Sequence, residues 1–206
     1  MYSEPLISCI MPTRGRPKFA SEAIEQFQMQ IWRNRELLII DDDTVPSIFP
    51  DIALPENVKL WHRRRMTIGA KRNYACGLAA GSIIAHWDDD DIYATDRLEH
   101  QARILLGSDA EIIGYCPLRF TEEGVADYLY SNPRPDYAPG ATLMYVRSAW
   151  ESRPFKDLSV NEDGDFLVGR KNVVVVPGED HMVARIHSGN TSPRKLQHTR
   201  QWRRIA

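Results

Sequence analysis

Twice in the first hundred residues a short apolar run breaks into carboxylates. Residues 37–40, LLII, lead into Asp41, Asp42 and Asp43, and residues 83–85, IIA, lead through His86 and Trp87 into Asp88, Asp89, Asp90 and Asp91. Between and around these runs, apolar residues recur at helical spacing, so the order is strand, helix, strand. That order favours an α/β fold with a mainly parallel sheet flanked by helices. In such sheets ligands bind at the carboxyl ends of the strands, where both aspartate runs fall.

Four adjacent aspartates are costly. Two carboxylates about 6 Å apart repel by roughly 3 kcal/mol at an effective dielectric near 20. Packing does not motivate that cost, so either water screens the run or a cation sits in it. On an extended strand Asp88 and Asp90 share a side and Asp89 points away. Two carboxylates so placed suit Mn2+ or Mg2+, which are completed by phosphate oxygens of a substrate. An EF-hand is excluded, because counting from Asp88 puts Ile92 at a ligand place and Tyr93 at the glycine place. A haloacid-dehalogenase-like phosphatase using Asp41 and Asp43 is the rival reading, although the span to Asp88 is tight for its intervening strands.

Residues 6–11 are a strand closed by Pro12 and the turn-like TRGRP. Ala20, Ala23, Ile24, Phe27 and Ile31 mark a helix, and VKLWH is a weaker strand. Ala75, Leu78 and Ala79 suit a helix that begins near Ile68 and that Gly81 ends; Leu98, Ala102 and Leu105 mark another. In the second half EIIGYCPLRF, GATLMYV and KNVVVVPG are strands, and LYSNPRPDYAPG is a long loop of the kind that carries function.

A chain of 206 residues with 43% hydrophobic and 26% charged residues forms one domain with one sizeable core. A net charge of -2 selects neither nucleic acid nor membrane, and no nucleic-acid partner is expected. Cys9, Cys76 and Cys116 read as reduced core thiols. The opening MYSEPLISCIMPTRGRP is neither a signal peptide nor a spanning helix, so a cytoplasmic protein is expected.

The order of the motifs resembles the GT-A fold glycosyltransferases, family 2. ISCIMPTRGRP is similar to that family's first strand and nucleotide loop, and IIDDDT to the acidic end of its second strand. IGAKRN and WDDDD resemble its Ala-Arg-Asn helix and Asp-x-Asp motif, and GATLMYVRSAWESRPF followed by NEDGDF its acceptor-side segment. The resemblance implies that Pro12, Thr13 and Arg14 line the base and ribose pocket, with Asp42, or alternatively Asp41, bonding the base. It places Arg72 and Asn73 near the diphosphate, Asp88 near the ribose or metal, Asp89 among the cofactor-binding residues without a defined contact, and Asp90 on the metal with His187 as a second ligand. Asp163 would be the general base, its pKa raised by Glu162 and Asp165; on composition alone the same NEDGD could be the acidic first turn of a helix capped by Asn161.

The resemblance further implies an inverting transferase using Mn2+ or Mg2+ and a UDP-sugar, with a sugar, lipid or protein acceptor that the sequence does not specify. A non-catalytic nucleotide-sugar binder remains the third class. Asp43 departs from the family's usual glycine or asparagine. Residues 1–193 form the expected domain, followed by a frayed basic tail, 194–206. In that tail Arg194, Lys195, Arg200, Arg203 and Arg204 with Trp202 are either solvated or make weak contact with an anionic membrane surface. No transmembrane helices follow the last motif, and a small soluble transferase is expected. Trp61, Trp87 and Trp150 are expected in the core or a pocket wall.

Overall fold

The computed structural model describes residues 4–44, 53–191 and 200–205. The basic residues Arg194 and Lys195 lie outside them. Strand β1 (Ile7–Thr13) feeds helix α1 (Pro17–Gln28), which returns to β2 (Arg35–Asp41) and β3 (Val58–His62). Helix α2 (Ile68–Leu78) leads to β4 (Ile83–His86), and a two-residue strand β5 (Ile92–Tyr93) precedes α3 (Arg97–Leu106). Then come β6 (Ile112–Tyr115), β7 (Leu118–Glu122), β8 (Ala126–Tyr130), β9 (Met144–Val146), α4 (Arg147–Ser152), α5 (Glu162–Leu167), β10 (Val173–Val176), β11 (Met182–Arg185) and β12 (Trp202–Arg204).

Among the described residues, seven strands form one sheet in the order β10-β6-β9-β4-β1-β2-β3, and five form a second in the order β12-β8-β7-β11-β5. In the large sheet β9 runs antiparallel to both neighbours, while β1 is parallel to β2 and β4, and β2 to β3. The expected mainly parallel α/β sheet in a single domain is therefore present. Alternation of side chains sends Ile7, Cys9 and Met11 to the face covered by Ala20, Ala23 and Phe27 of α1 and Leu98 and Ala102 of α3. Ile10, Leu38 and Ile40 meet Ala75 and Cys76 of α2 and Phe166 and Leu167 of α5 on the other. Burial pushes the Cys9 and Cys76 thiols up to about 12, which leaves them inert.

Arg35 stops α1: its guanidinium donates to the carbonyls of Phe27 (2.9 Å), Gln28 (2.7 Å) and Trp32 (2.6 Å), taking up acceptors the helix end leaves free. Ile31 accordingly falls beyond the helix and is 44% exposed.

Four local expectations change. Pro12 lies inside β1, opposite Ile40, and not at its end; β4 pairs with β1 only as far as Ile10, so no ladder bond is lost on that side. Helix α2 ends at Leu78, and Gly81 serves a different need: a Cβ there would lie 2.4 Å from the Leu6 carbonyl oxygen. EIIGYCPLRF is two strands, broken at the cis Cys116–Pro117 bond, and its halves join different sheets. The end of the chain is not frayed throughout, since Trp202, Arg203 and Arg204 pair with Tyr130, Leu129 and Tyr128.

Candidate active site

β2 and β4 flank β1, so both aspartate runs do reach one edge of the large sheet. The second run is a turn between β4 and β5, not an extension of the strand. Strand alternation therefore does not govern it, and Asp89 is not turned away from the others. Arg16, just before α1, bridges both: its Nη2 lies 2.7 Å from Asp89 Oδ1 and its Nη1 donates to Asp90 Oδ2 at 2.8 Å. Thr13 Oγ1 donates to the other oxygen of Asp89 at 2.5 Å. The Arg16–Asp90 pair is made across 74 residues of sequence.

Asp90 Oδ2 also accepts from His187 Nε2 (2.9 Å) and Asn190 Nδ2 (3.2 Å). The Gly189 N–H donates to His187 Nδ1 at 3.1 Å, which puts the neutral ring's proton on Nε2. Asp88 Oδ1 is buried, accepts no hydrogen bond, and has the Arg72 Nη2 at 3.6 Å. Arg72 is itself buried and donates through Nη1 to Glu162.

Burial pushes Asp88 up from its ordinary value, with Asp90 adding to the shift against Arg72. Burial and then Asp90 and Asp88 push Asp89 up to about 7 against the pull of Arg16 and Thr13. Glu162 moves up for the same reason, burial, with Asp163 beside it. Burial thus favours the protonated forms of Asp88, Asp89 and Glu162, while Arg16 and Arg72 pull the other way.

Asp163 sits at the start of α5, where its Oδ2 accepts the Gly140 N–H at 2.7 Å and its Oδ1 the Gly164 N–H at 2.8 Å. The neighbours expected to repel it each have a cation: Glu162 has Arg72, and Asp165 has Lys156 at 2.5 Å. Asn161 does not cap the helix. It stands at the cap position with φ 64, in the left-handed region that asparagine tolerates, and makes no side-chain cap bond.

Two adjoining cavities open on this edge. One, of about 550 Å3, is lined by Arg16, Arg72, the four aspartates, Glu162 and Asp163, and extends to Tyr130, Tyr137 and Trp202. The other, of about 440 Å3, is lined by Pro12, Thr13, Arg14, Asp42, Asp43 and Lys71. Pro12, Arg16, Ile68, Ser159 and Thr191 border both. Gly15 turns the chain between them at φ 57, and Asp43 lies so close that a Cβ at Gly15 would be 2.5 Å from its Oδ2. Asp42 is 2% exposed and held by Lys71 Nζ (2.7 Å) and the Met66 N–H (2.8 Å).

Pro12, Thr13, Arg14 and Asp42 therefore meet in one cavity, and Arg72, Asp88, Asp89, Asp90 and Asp163 in the other. Asn73 joins neither. Its amide donates to the Phe155 carbonyl (2.8 Å) and accepts from Trp150 Nε1 (2.9 Å) and the Phe155 N–H (3.0 Å), so it anchors the segment after α4. Asp41 is fully buried beside His62 and borders neither cavity, so it is not placed as a phosphatase nucleophile or as the alternate base ligand. Trp87 is in the core, Trp150 is tied to Asn73, and Trp61 packs against the core; none lines either cavity. Reading the sequence missed Arg16, Lys71, Asn190 and the aromatic wall. Arg16, in the loop TRGRP, and Lys71, in IGAKRN, stand beside recognised residues and so carried a local signal.

The residues present fit a hard divalent cation. Asp88 offers a buried oxygen without a hydrogen-bond donor, and Asp90 is a second carboxylate in the same turn. His187 meets Asp90 as a donor and becomes a ligand only after passing on its Nε2 proton. Among the described residues no group of three or more His, Cys, Asp or Glu side chains is placed to hold a metal ion.

The sequence model of glycosyl transferase family 2 matches residues 8–169, and the chain belongs to that family. An uncharacterized glycosyltransferase of Rickettsia conorii is 33% identical over 108 residues, 51% of this chain but 18% of that protein. The S. aureus protein TarS (residues 1–349), in complex with UDP-GlcNAc, superposes with a TM-score of 0.71 at 16% identity, covering 90% of this chain and 60% of that one. A mannosyltransferase from Pyrobaculum calidifontis, PcManGT, in complex with GDP-Man and Mn2+, superposes at 0.66 with 15% identity, covering 94% and 59%. These two share the GT-A fold with this chain, which spans less than two thirds of the length of each of these three proteins.

Proposed function

We propose that this glycosyltransferase moves a sugar from a nucleoside diphosphate donor, a UDP-sugar, to an acceptor hydroxyl with inversion at the anomeric carbon, and that it uses Mn2+ or Mg2+. The observation that carries the reading is that Asp163, oriented by two backbone N–H groups, lines the same cavity as the acidic turn. The neighbouring cavity, with Pro12, Thr13, Arg14 and Asp42, takes the nucleoside. UDP-GlcNAc bound to TarS and GDP-Man with Mn2+ bound to PcManGT support a nucleotide-sugar and a metal for this fold.

Asp163 takes the proton of the acceptor hydroxyl as that oxygen forms a bond to the anomeric carbon. The bond from that carbon to the diphosphate breaks, and its electron pair leaves on the diphosphate. Arg16 and Arg72 hold the acidic turn in place and set positive charge beside the departing group. Asp88 and Asp90, with His187 as a further ligand, would hold a divalent cation, which would supply Lewis-acid stabilisation of the developing phosphate charge. Attack on the face opposite the leaving group inverts the centre in one displacement. Among the described residues no helix is long and apolar enough to cross a membrane. The three free cysteines favour a reducing compartment, and the cytoplasm is the proposed one.

Calorimetric titration with UDP, GDP and CDP, each with and without Mn2+, tests the donor. UDP with Mn2+ should bind tightest, and Asp90→Asn should lose the metal-dependent part. Asp163→Asn should bind UDP as before while donor turnover falls by about 10²–10⁴. Unchanged turnover in Asp163→Asn would remove the base assigned here, whereas wild-type protein that binds UDP with Mn2+ but shows no turnover would be a nucleotide-sugar binder.

A further inference from the structure

The cavity holding Asp163 has two chemically different ends. One carries the acidic turn with Arg16 and Arg72; the other is walled by Phe120, Tyr130, Tyr137 and Trp202, with Gln201 beside them and no ionised side chain among these. Trp202 is brought there by β12, which pairs it directly with Tyr130. Its ring centroid lies 4.9 Å from that of Tyr130 and 4.8 Å from that of Phe120, so the three rings form one continuous wall. The Tyr130 hydroxyl accepts from Asn132 Nδ2 at 2.9 Å, which fixes the polar rim of the wall. Arg134 stands 6.0 Å from the Tyr137 ring, is ion-paired with Asp136, and does not border the cavity.

We propose that this end is the acceptor subsite and that the acceptor is a neutral glycan, one of whose rings stacks on Trp202 and the tyrosines. A pyranose presents a face of C–H groups rimmed by hydroxyls. The electron-rich face of an aromatic ring attracts the C–H groups, while tyrosine hydroxyls and carboxamides meet the rim. A phosphorylated or lipid-phosphate acceptor needs a free cation, and among the described residues the arginines of the lining are already paired, Arg16 with Asp89 and Asp90, Arg72 with Glu162 and Arg185 with Glu22. The proposal rests on the reading of Asp163 as the base, because that residue lies in the same cavity and receives the hydroxyl of the stacked ring. It extends that reading by naming the acceptor's chemistry and by giving a role to the C-terminal strand.

The probes are maltose, cellobiose, lactose and N,N′-diacetylchitobiose, observed by saturation-transfer difference NMR, with UDP and Mn2+ titrated calorimetrically against the same samples. At least one disaccharide should bind the wild type, and Trp202→Ala should weaken it by about tenfold or more while Trp202→Phe restores part of the loss. Tyr137→Ala, outside both sheets, should weaken the same sugar without touching a strand. UDP affinity should be unchanged in all three variants, because none of these residues borders the nucleoside cavity. Binding of none of the four sugars, equal binding by folded Trp202→Ala and Tyr137→Ala, or binding of a polyprenyl phosphate in their place would overturn the proposal. Loss of UDP binding in the wild type with sugar binding intact would instead strike the proposed donor chemistry and leave the subsite standing.

Discussion

Asp163 and Gly140, 23 residues apart in sequence, are locked together: the Gly140 N–H donates to the Asp163 carboxylate at 2.7 Å, and the approach leaves no room for a side chain. A Cβ on Gly140 would lie 2.5 Å from Asp163 Oδ2 and 2.6 Å from its Cβ. Gly140→Ala should therefore displace the carboxylate and cut donor turnover by about tenfold to a hundredfold, since small misplacement of a reacting group is costly. UDP affinity should be kept. Steady-state turnover beside a UDP titration checks this, and full turnover in Gly140→Ala would show that the carboxylate's position does not matter.

Lys71 and Asp42 are both nearly fully buried and 2.7 Å apart. Removing one partner leaves an uncompensated buried charge, which costs about 3–5 kcal/mol. Lys71→Met should destabilise the fold by that order in urea denaturation. The double variant Asp42→Asn with Lys71→Met should regain much of it. Equal stability of the single and double variants would mean that the loss is one of packing.

Glu36 ties three elements together: it accepts from Ser8 Oγ (2.7 Å), the Ala80 N–H (2.8 Å) and Lys59 Nζ (3.1 Å). Burial pushes its carboxyl up, but the hydrogen bonds from Ser8, Ala80 and Lys59 together outweigh it and hold the group below its ordinary 4.5. A carboxyl depressed in the folded state stabilises above its unfolded pKa, and that contribution is lost as pH falls through the folded one. Glu36→Gln should cost about 1.5–3 kcal/mol at pH 7. Denaturation from pH 7 to 3 should show the gap to wild type closing only below about pH 4.5. A gap constant with pH would assign the effect to shape.

Several features were legible in the sequence because they depend on near neighbours. The helical spacing of Ala20, Ala23, Ile24 and Phe27, the strands LLII and VVVV, and the order of motifs from TRGRP to NEDGD need no knowledge of the rest of the chain. They were enough for the mainly parallel sheet, the edge that carries the acids and the family to which the chain belongs. The second sheet was not legible. Its strands have two to five residues, too few to show a period, and β7 was fused in sequence with a strand of the other sheet.

Tertiary structure alone decided which charges meet. Arg16 reaches Asp89 and Asp90, Lys71 reaches Asp42, and Arg72 reaches Glu162 across 90 residues. Their motifs mark Arg16, Lys71 and Arg72, but nothing local names the carboxylate that each one meets. The same holds for Asn73, whose motif position pointed to a nucleotide and whose amide instead anchors Phe155 and Trp150, and for Trp202, a tail residue by sequence that becomes a cavity wall when its strand pairs with β8. Periodicity writes the elements into the chain because each is built from neighbours. A site is built from elements, and its partners are fixed only when the sheet order brings distant strand ends together.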